Sequence, residues 1–489
     1  GSEPIDLKEI TSGKFRQITN VGEMRSLPDG EYYTAMNPKR TMIVKYSYRT
    51  GNPVDTLFNV ATARECTIDK FDNYEISSTG HRILILCDVE PIYRRSTQDT
   101  PGKQMIPTFS PDGRMCAYVK DNNIWIRKFD YDTEIQITKD GKQNAILNGI
   151  TDWVYEEEFS VTNLMAWSPD SKILAFVRSD ESDVPEYSMQ IYGDGLYPGY
   201  YNFKYPKAGE KNSTVSVMAY NIESKDTKKL DIPMDADGYI PRITFTTKPE
   251  QLAVMTLNRQ QNRFNMFYTN PKSGVSKLIL KDENKCYVDS EWLTSIHFME
   301  SGFTYVSEQD GYSHIYLYSP TGVMQRQITK GNWDVTALLG YDELTKTTYY
   351  ESAEESPLRR AVYKIDAKGV KTKLSTKEGT NHADFSANFA YYVNRFSNVN
   401  TPMQITVNET KKNRVLRVLQ DNTALTKKLA AKSYSPKEFM TVTTKSGYEL
   451  NAWMVKPVNF DKNKKYPVLM VQYSGPNSQQ VLDQYGMDW

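Results

Sequence analysis

Short runs in which apolar and polar residues alternate, or in which apolar residues are continuous, recur along the chain, each closed by Pro, Asp, Asn or Gly. A period of two sets alternate side chains on one face of a strand, and the closing residues are turn formers. In the clearest copy, Pro107-Thr-Phe-Ser-Pro-Asp-Gly113 supplies a strand and a turn, residues 114–120 a second strand, 123–129 a third and 134–138 a fourth. Four antiparallel strands repeated about every 40 residues predict the blade of a β-propeller. Comparable units begin near Met24, Tyr74, Met105, Leu164, Tyr239, Glu291, Trp333 and His382, and the last ends near Gln420, so eight blades are predicted. Two stacked β-sandwich domains are the alternative, and the regular cadence of turn and strand favours the propeller.

Two units break the period. The second has its first two strands, at residues 74–78 and 81–87, and then runs through Tyr93-Arg-Arg-Ser96 into the next blade. Half a blade would leave an unpaired ladder inside the propeller, so further residues are expected near 96–100 that this sequence lacks. The fourth carries an insert at 179–213, rich in Tyr, Pro and Gly. A long aromatic excursion from a compact blade is expected to be a protruding arm rather than a loop packed on its own blade.

After the last blade the pattern changes. Residues 425–432 form an Ala/Lys/Leu stretch with helical character, and residues 439–443 and 449–455 flank Lys445-Ser-Gly447 as a hairpin. The run Tyr466-Pro-Val-Leu-Met-Val-Gln472 then reads as a buried core strand that enters a turn at Tyr473-Ser-Gly-Pro476. Hairpin followed by core strand is the opening of an α/β domain. The fold expected is therefore mainly β: an eight-bladed β-propeller over 17–432, preceded by a segment at 1–16 and followed at 433–489 by the start of an α/β-hydrolase domain. No Gly-x-Ser-x-Gly elbow is present, so the nucleophile, its acid and its histidine are expected outside this sequence. Ser474 and Ser478 lack the elbow, and His81, His297, His314 and His382 all fall in blades.

Composition narrows the classes. Lys+Arg and Asp+Glu each number 60, so no global field favours nucleic acid or an anionic membrane. No apolar run reaches the roughly 18 residues of a spanning helix. Thirty-four tyrosines against four histidines is a β-rich palette. Cys66, Cys87, Cys116 and Cys286 show no ligand spacing, so no metal site is expected and pairing stays open. Gly1-Ser2 is the kind of remnant an expression tag leaves, consistent with a removed leader.

The densest unusual chemistry is Asp152-Trp-Val-Tyr-Glu-Glu-Glu158. Three consecutive carboxylates repel one another, and a bound cation would relieve the repulsion. Composition alone favours a solvated acidic turn or helix start, the latter with the Glu residues near the positive end of the helix dipole.

This segment resembles the signature of the dipeptidyl peptidase IV branch of the prolyl oligopeptidase family. Asp180-Glu-Ser-Asp-Val-Pro185, Tyr205-Pro-Lys-Ala-Gly209, Asn258-Arg-Gln260, Glu308-Gln-Asp-Gly-Tyr312 and Tyr473-Ser-Gly-Pro476 resemble the same branch, in order, from about residue 7 onward. The low cysteine count resembles a bacterial member more than the secreted animal ones. The resemblance implies a propeller capping an α/β-hydrolase, with the substrate's N-terminus held between them. It implies that Glu157 and Glu158 bind the substrate's α-amino group, that Arg94 contacts a substrate carbonyl, and that Tyr473 completes the oxyanion hole. Arg95 adjoins Arg94 and competes for that role, and a surface charge and a core tyrosine are the plain alternatives for Arg94 and Tyr473.

The function so implied is a serine exopeptidase that releases X-Pro, and less readily X-Ala, dipeptides from peptides with a free N-terminus, without cofactor. The resemblance also implies a homodimer joined through the 179–213 arm, an N-terminal segment packed on the hydrolase domain, and a periplasmic or cell-envelope address. A related oligopeptidase or acylaminoacyl peptidase is the second reading, which the Glu pair disfavours because a blocked or internal peptide offers no ammonium. A non-catalytic propeller that only binds is the third.

Overall fold

The computed structural model describes residues 3–64, 67–89 and 103–486. These form a mainly β structure built from propeller blades, divided into two compact units. The first comprises residues 1–70, 311–315 and 327–489, and the second residues 71–310 and 316–326.

In the second unit, Met105–Phe109, Met115–Lys120, Asn123–Lys128 and Thr133–Gln136 pair in sequence order, as the alternation predicts. The next sheet joins Ile146–Asn148, Ile173–Asp180, Thr214–Asn221 and Thr227–Leu230, with Met165–Trp167 added against Ile173–Asp180. Tyr239–Phe245, Leu252–Leu257, Arg263–Thr269 and Ser276–Glu283 make another. The sheet of Phe298–Met299, Gly302–Ser307, His314–Tyr318 and Met324–Gln327 lies mostly in this unit. The first unit holds the sheets that begin at Arg25–Ser26, Val335–Asp342 and Thr380–Phe385.

Burial explains why these strands read as they do. Leu252–Leu257 and Gly302–Ser307 are buried at every position, whereas the outer strand Ser276–Glu283 is mostly exposed or half-buried. An inner strand packed by sheets on both faces has no polar side, so its sequence is nearly continuous in apolar residues. Within the second unit, Val177 and Val217, Val254 and Met255, and Phe303 and Tyr305 from successive sheets share one core.

The turns repeat a chemical device. Ser110 Oγ donates to Asp112 Oδ1 at 2.6 Å, and the same oxygen accepts from the Arg114 N–H at 2.9 Å. Ser168 and Asp170 repeat the first bond at 2.6 Å, and Ser386 donates to Asn388 at 3.0 Å. The turn also needs a left-handed residue, supplied by Gly113 at φ 70°.

Two expectations are corrected. Among the described residues, seven sheets of four or more strands are present rather than eight blades. The unit expected to be second is a two-stranded sheet of Asn73–Ile76 and Ile83–Leu86, and the place where its missing strands were expected lies outside the described residues. The predicted core strand at 466–472 forms no strand either, and the described residues contain no α/β-hydrolase sheet. A strand needs a neighbour for its ladder, and this run has none among the described residues, so Leu469 is 90% and Met470 83% exposed.

The hairpin of Glu438–Thr443 and Glu449–Met454 is present, as is a helix at Thr423–Ala430. The N-terminal segment runs Glu3–Pro4 parallel to Lys432–Ser433 and then forms the short helix α1, Leu7–Thr11. Asp6 caps α1 through a capping box with Glu9. Phe15 packs with Leu425 and Leu429 of α3, Thr423–Ala430. Among the described residues no helix is long and apolar enough to cross a membrane.

Candidate functional site

The acidic motif folds as a helix, α2, Trp153–Glu158. Asp152 is its N-cap: the extended backbone of Asp152 turns its carboxylate onto the Tyr155 N–H at 3.1 Å. The second carboxylate oxygen of Asp152, a buried residue, accepts from the Ser213 hydroxyl at 2.6 Å. Tyr155 is 2% exposed, and its hydroxyl accepts from the Ile240 N–H at 2.9 Å. Burial pushes the Tyr155 phenol well above its ordinary range, so it stays neutral. Its ring lies edge-on to Phe159 and Tyr239, at centroid distances of 5.2 and 6.1 Å. At the far end the Phe159 and Val161 N–H groups both donate to the Tyr155 carbonyl, and Ser160 takes the left-handed conformation at φ 53°.

Glu157 and Glu158 are the last two residues of α2 and are exposed. The sequence alone favoured carboxylates at the helix start, where the dipole stabilises them. Only Glu156 sits in the first turn. Glu157 and Glu158 instead face the negative end of the dipole, which disfavours each by about 0.3–1 kcal/mol. Neither forms an ion pair among the described residues. Burial, first of all, raises the Tyr239 phenol; the charges of Asp152, Asp237 and Glu158 add to that rise and Arg259 opposes it. Glu158 and Arg259 thus both lie within electrostatic reach of Tyr239. Arg259 itself is engaged by Asn212 Oδ1 at 2.5 Å and the Glu210 carbonyl at 2.7 Å.

Two adjacent carboxylates, projecting from a short helix pinned at both ends, can accept hydrogen bonds from a compact cation. An ammonium has three donors and no acceptor, and charge-assisted bonds of this kind are about twice as strong as neutral ones.

The other expected site residues are Tyr473 and Arg94. Tyr473 belongs to the first unit, 64% exposed, in the segment without a strand. Its ring folds over Gly475, where an added Cβ would meet Tyr473 Cε1 at 2.6 Å, so the glycine leaves room for the ring. Arg94 lies outside the described residues, as do Arg95 and Cys66. Among the described residues no cluster of three or more His, Cys, Asp and Glu side chains could hold a metal ion.

His314 and His382 have structural partners. His314 is fully buried, with ring nitrogens 2.8 Å from Thr329 Oγ1 and 2.8 Å from the Gly331 carbonyl. Burial, helped by Arg242, lowers His297, and Glu351 hydrogen-bonds His382 at 3.0 Å. Sequence reasoning missed the ties of Asp152, Ser213, Tyr155 and Arg259. The one legible signal was an Asp three residues before Tyr155, the spacing of a helix cap.

A profile of the dipeptidyl peptidase IV (DPP IV) N-terminal region matches residues 67–403. A crystal structure of Porphyromonas gingivalis dipeptidyl peptidase 4 is 58% identical, with a TM-score of 0.96, over 100% of this chain and 72% of that one. A putative dipeptidyl aminopeptidase IV from Bacteroides ovatus has the same fold at 22% identity, with a TM-score of 0.75 over 99% of this chain and 71% of that one. A probable dipeptidyl-aminopeptidase B of Phaeosphaeria nodorum is 30% identical over 100% of this chain and 57% of its own length. The chain spans about half the length of the curated relatives it matches. It belongs to the dipeptidyl peptidase IV family.

Proposed function

We propose that this chain is the recognition part of a serine exopeptidase that removes X-Pro, and less readily X-Ala, dipeptides from peptides with a free N-terminus. Glu157 and Glu158 hold the substrate's α-ammonium, and the propeller restricts which chains reach them. A fixed ammonium site sets how far a peptide enters, and so how many residues are released. The observation that carries this reading is the exposed carboxylate pair at the C-terminal end of α2, where the helix dipole opposes both charges and no cation answers them among the described residues. Family membership supports the reaction class.

In this reading Tyr473 donates a hydrogen bond to the oxyanion of the tetrahedral intermediate. Arg94 binds a substrate carbonyl. The Ser, His and Asp of the triad come from residues outside this chain, with Ser attacking the scissile carbonyl and His taking its proton. The exposed aromatic arm supports a homodimer, with Tyr192, Leu196 and Tyr197 almost bare on its tip. An address in the periplasm or cell envelope completes the reading and rests on the family resemblance.

The test is a pair of variants in the full-length enzyme. Glu157→Gln and Glu158→Gln are each expected to raise KM for a free-amino X-Pro substrate and to lower kcat/KM roughly tenfold or more. Unchanged kinetics in both would overturn the ammonium assignment.

A further inference from the structure

The arm at 179–213 is an antiparallel hairpin of Glu186–Ile191 and Gly199–Lys204, and its return limb runs from Tyr205 to Ser213. That limb touches α2 at two places. The Trp153 ring lies edge-on to the Tyr205 ring, with centroids 4.5 Å apart. Ser213 donates to the carboxylate of Asp152, the residue that caps α2. The start of the limb is fixed by the Tyr205 N–H on the Pro185 carbonyl at 2.9 Å, and by Lys204 Nζ on the carbonyls of Val184 at 2.9 Å and Ser182 at 3.1 Å. Its end is held by Arg259 through Asn212 and Glu210. Tyr205 also joins Tyr187, Phe203, Lys207 and Ala208 in lining a hollow of about 520 Å³ at the foot of the hairpin. Tyr187 and Phe203 stand within 5.8 and 6.3 Å of the Tyr205 ring.

These contacts form one chain of packing from the hairpin to the acidic helix. We infer that Tyr205 and Ser213 are positioning residues for Glu157 and Glu158: the return limb of the arm sets where α2 presents its two carboxylates. A helix of six residues has little stability of its own, so its orientation is set by what grips it. The arm grips it through Asp152 to Ser213 and Trp153 to Tyr205, and the following sheet through Tyr155 to Ile240 and Tyr239. Whatever docks on the arm is thereby coupled to the geometry of the carboxylate pair. The proposal rests on the reading of that pair as the ammonium site.

The experiment compares, in the full-length enzyme, kcat/KM for an X-Pro substrate with that for the same substrate lacking its α-amino group. The ratio of the two reports the ammonium site alone. Tyr205→Ala is expected to raise KM for the free-amino substrate by roughly tenfold to a hundredfold with kcat nearly unchanged, and so to shrink the ratio, because a displacement of about 1 Å is enough to cost such factors. Tyr205→Phe keeps the ring and should restore the ratio. Ser213→Ala, a smaller change, should shrink it in the same direction should Tyr205→Ala fail to fold. An unchanged ratio in Tyr205→Ala and Ser213→Ala, alongside a collapsed ratio in Glu157→Gln, overturns the positioning role and leaves the ammonium site standing. An unchanged ratio in Glu157→Gln and Glu158→Gln overturns both.

Discussion

The Tyr155 hydroxyl and the Ile240 N–H, 85 positions apart in the sequence, meet at 2.9 Å inside the core of the second unit. The bond ties the acidic helix to the first strand of the following sheet, Tyr239–Phe245. Replacing Tyr155 with Phe keeps the ring but leaves a buried backbone donor without its partner. An unmade bond of that kind costs about 1–3 kcal/mol. Tyr155→Phe is expected to lower unfolding free energy by that amount in denaturant titrations, and an unaltered midpoint would show that water replaces the hydroxyl.

Much of the fold was legible because the blade pattern is local. The Ser-Pro-Asp-Gly turn at 110–113 carries its own hydrogen bonds, and Leu252–Leu257 reads as an inner strand because both its faces are packed. The run at 466–472 misled for the opposite reason. Its apolar residues specify burial, but a strand exists only with a neighbour, and the neighbour is not encoded within the run. At the site, the sequence showed the carboxylates of Glu157 and Glu158 but not which end of a helix they would occupy. Asp152 fixes that by capping, and its partner Ser213 is 61 positions away, beyond the reach of any local pattern.

Tyr473 carries the oxyanion prediction. In the full-length enzyme Tyr473→Phe is expected to lower kcat about a hundredfold, in line with loss of one oxyanion donor, while KM changes little. Gly475→Ala should act in the same direction by displacing the Tyr473 ring that now lies against the glycine. An intact kcat in Tyr473→Phe with a raised KM would make the residue a binding contact instead.

The N-terminal clasp gives an acid-side prediction. Glu9 accepts from Lys14 at 2.6 Å and pairs with Lys432 at 2.9 Å, and these bonds, Lys14 first, lower its carboxyl from 4.5 to about 2. A depressed carboxyl stabilises the fold above its unfolded value and loses that contribution as pH falls through its folded value. The thermal midpoint of the wild type should therefore exceed that of Glu9→Gln at neutral pH, and the gap should close between pH 4.5 and about 2. Glu9 is only partly buried, so salt near 1 M should shrink the gap as well. A gap that persists below pH 2 would assign it to packing.

His382 gives the opposite sign. Its Nδ1 lies 3.0 Å from Glu351 Oε2, and Glu351 Oε1 accepts from the Ala383 N–H at 2.8 Å, so a buried carboxylate is aimed at the ring from the neighbouring sheet. The hydrogen bond to Glu351 is the largest cause of a pKa raised above 6.5; burial and Arg360 oppose it, and Asp384 assists. A raised imidazole stabilises the fold fully below its unfolded value and loses that contribution as pH rises through the folded one. A His382→Gln variant should thus lose most stability, relative to wild type, below pH 6.5, and the two should converge on the alkaline side. The ring's titration, followed by NMR, should sit above 6.5 in the wild type and fall in Glu351→Gln, since removing the charge leaves only Asp384 to oppose burial and Arg360. A titration that does not move in Glu351→Gln would mean that the carboxylate orients the ring without stabilising its charge.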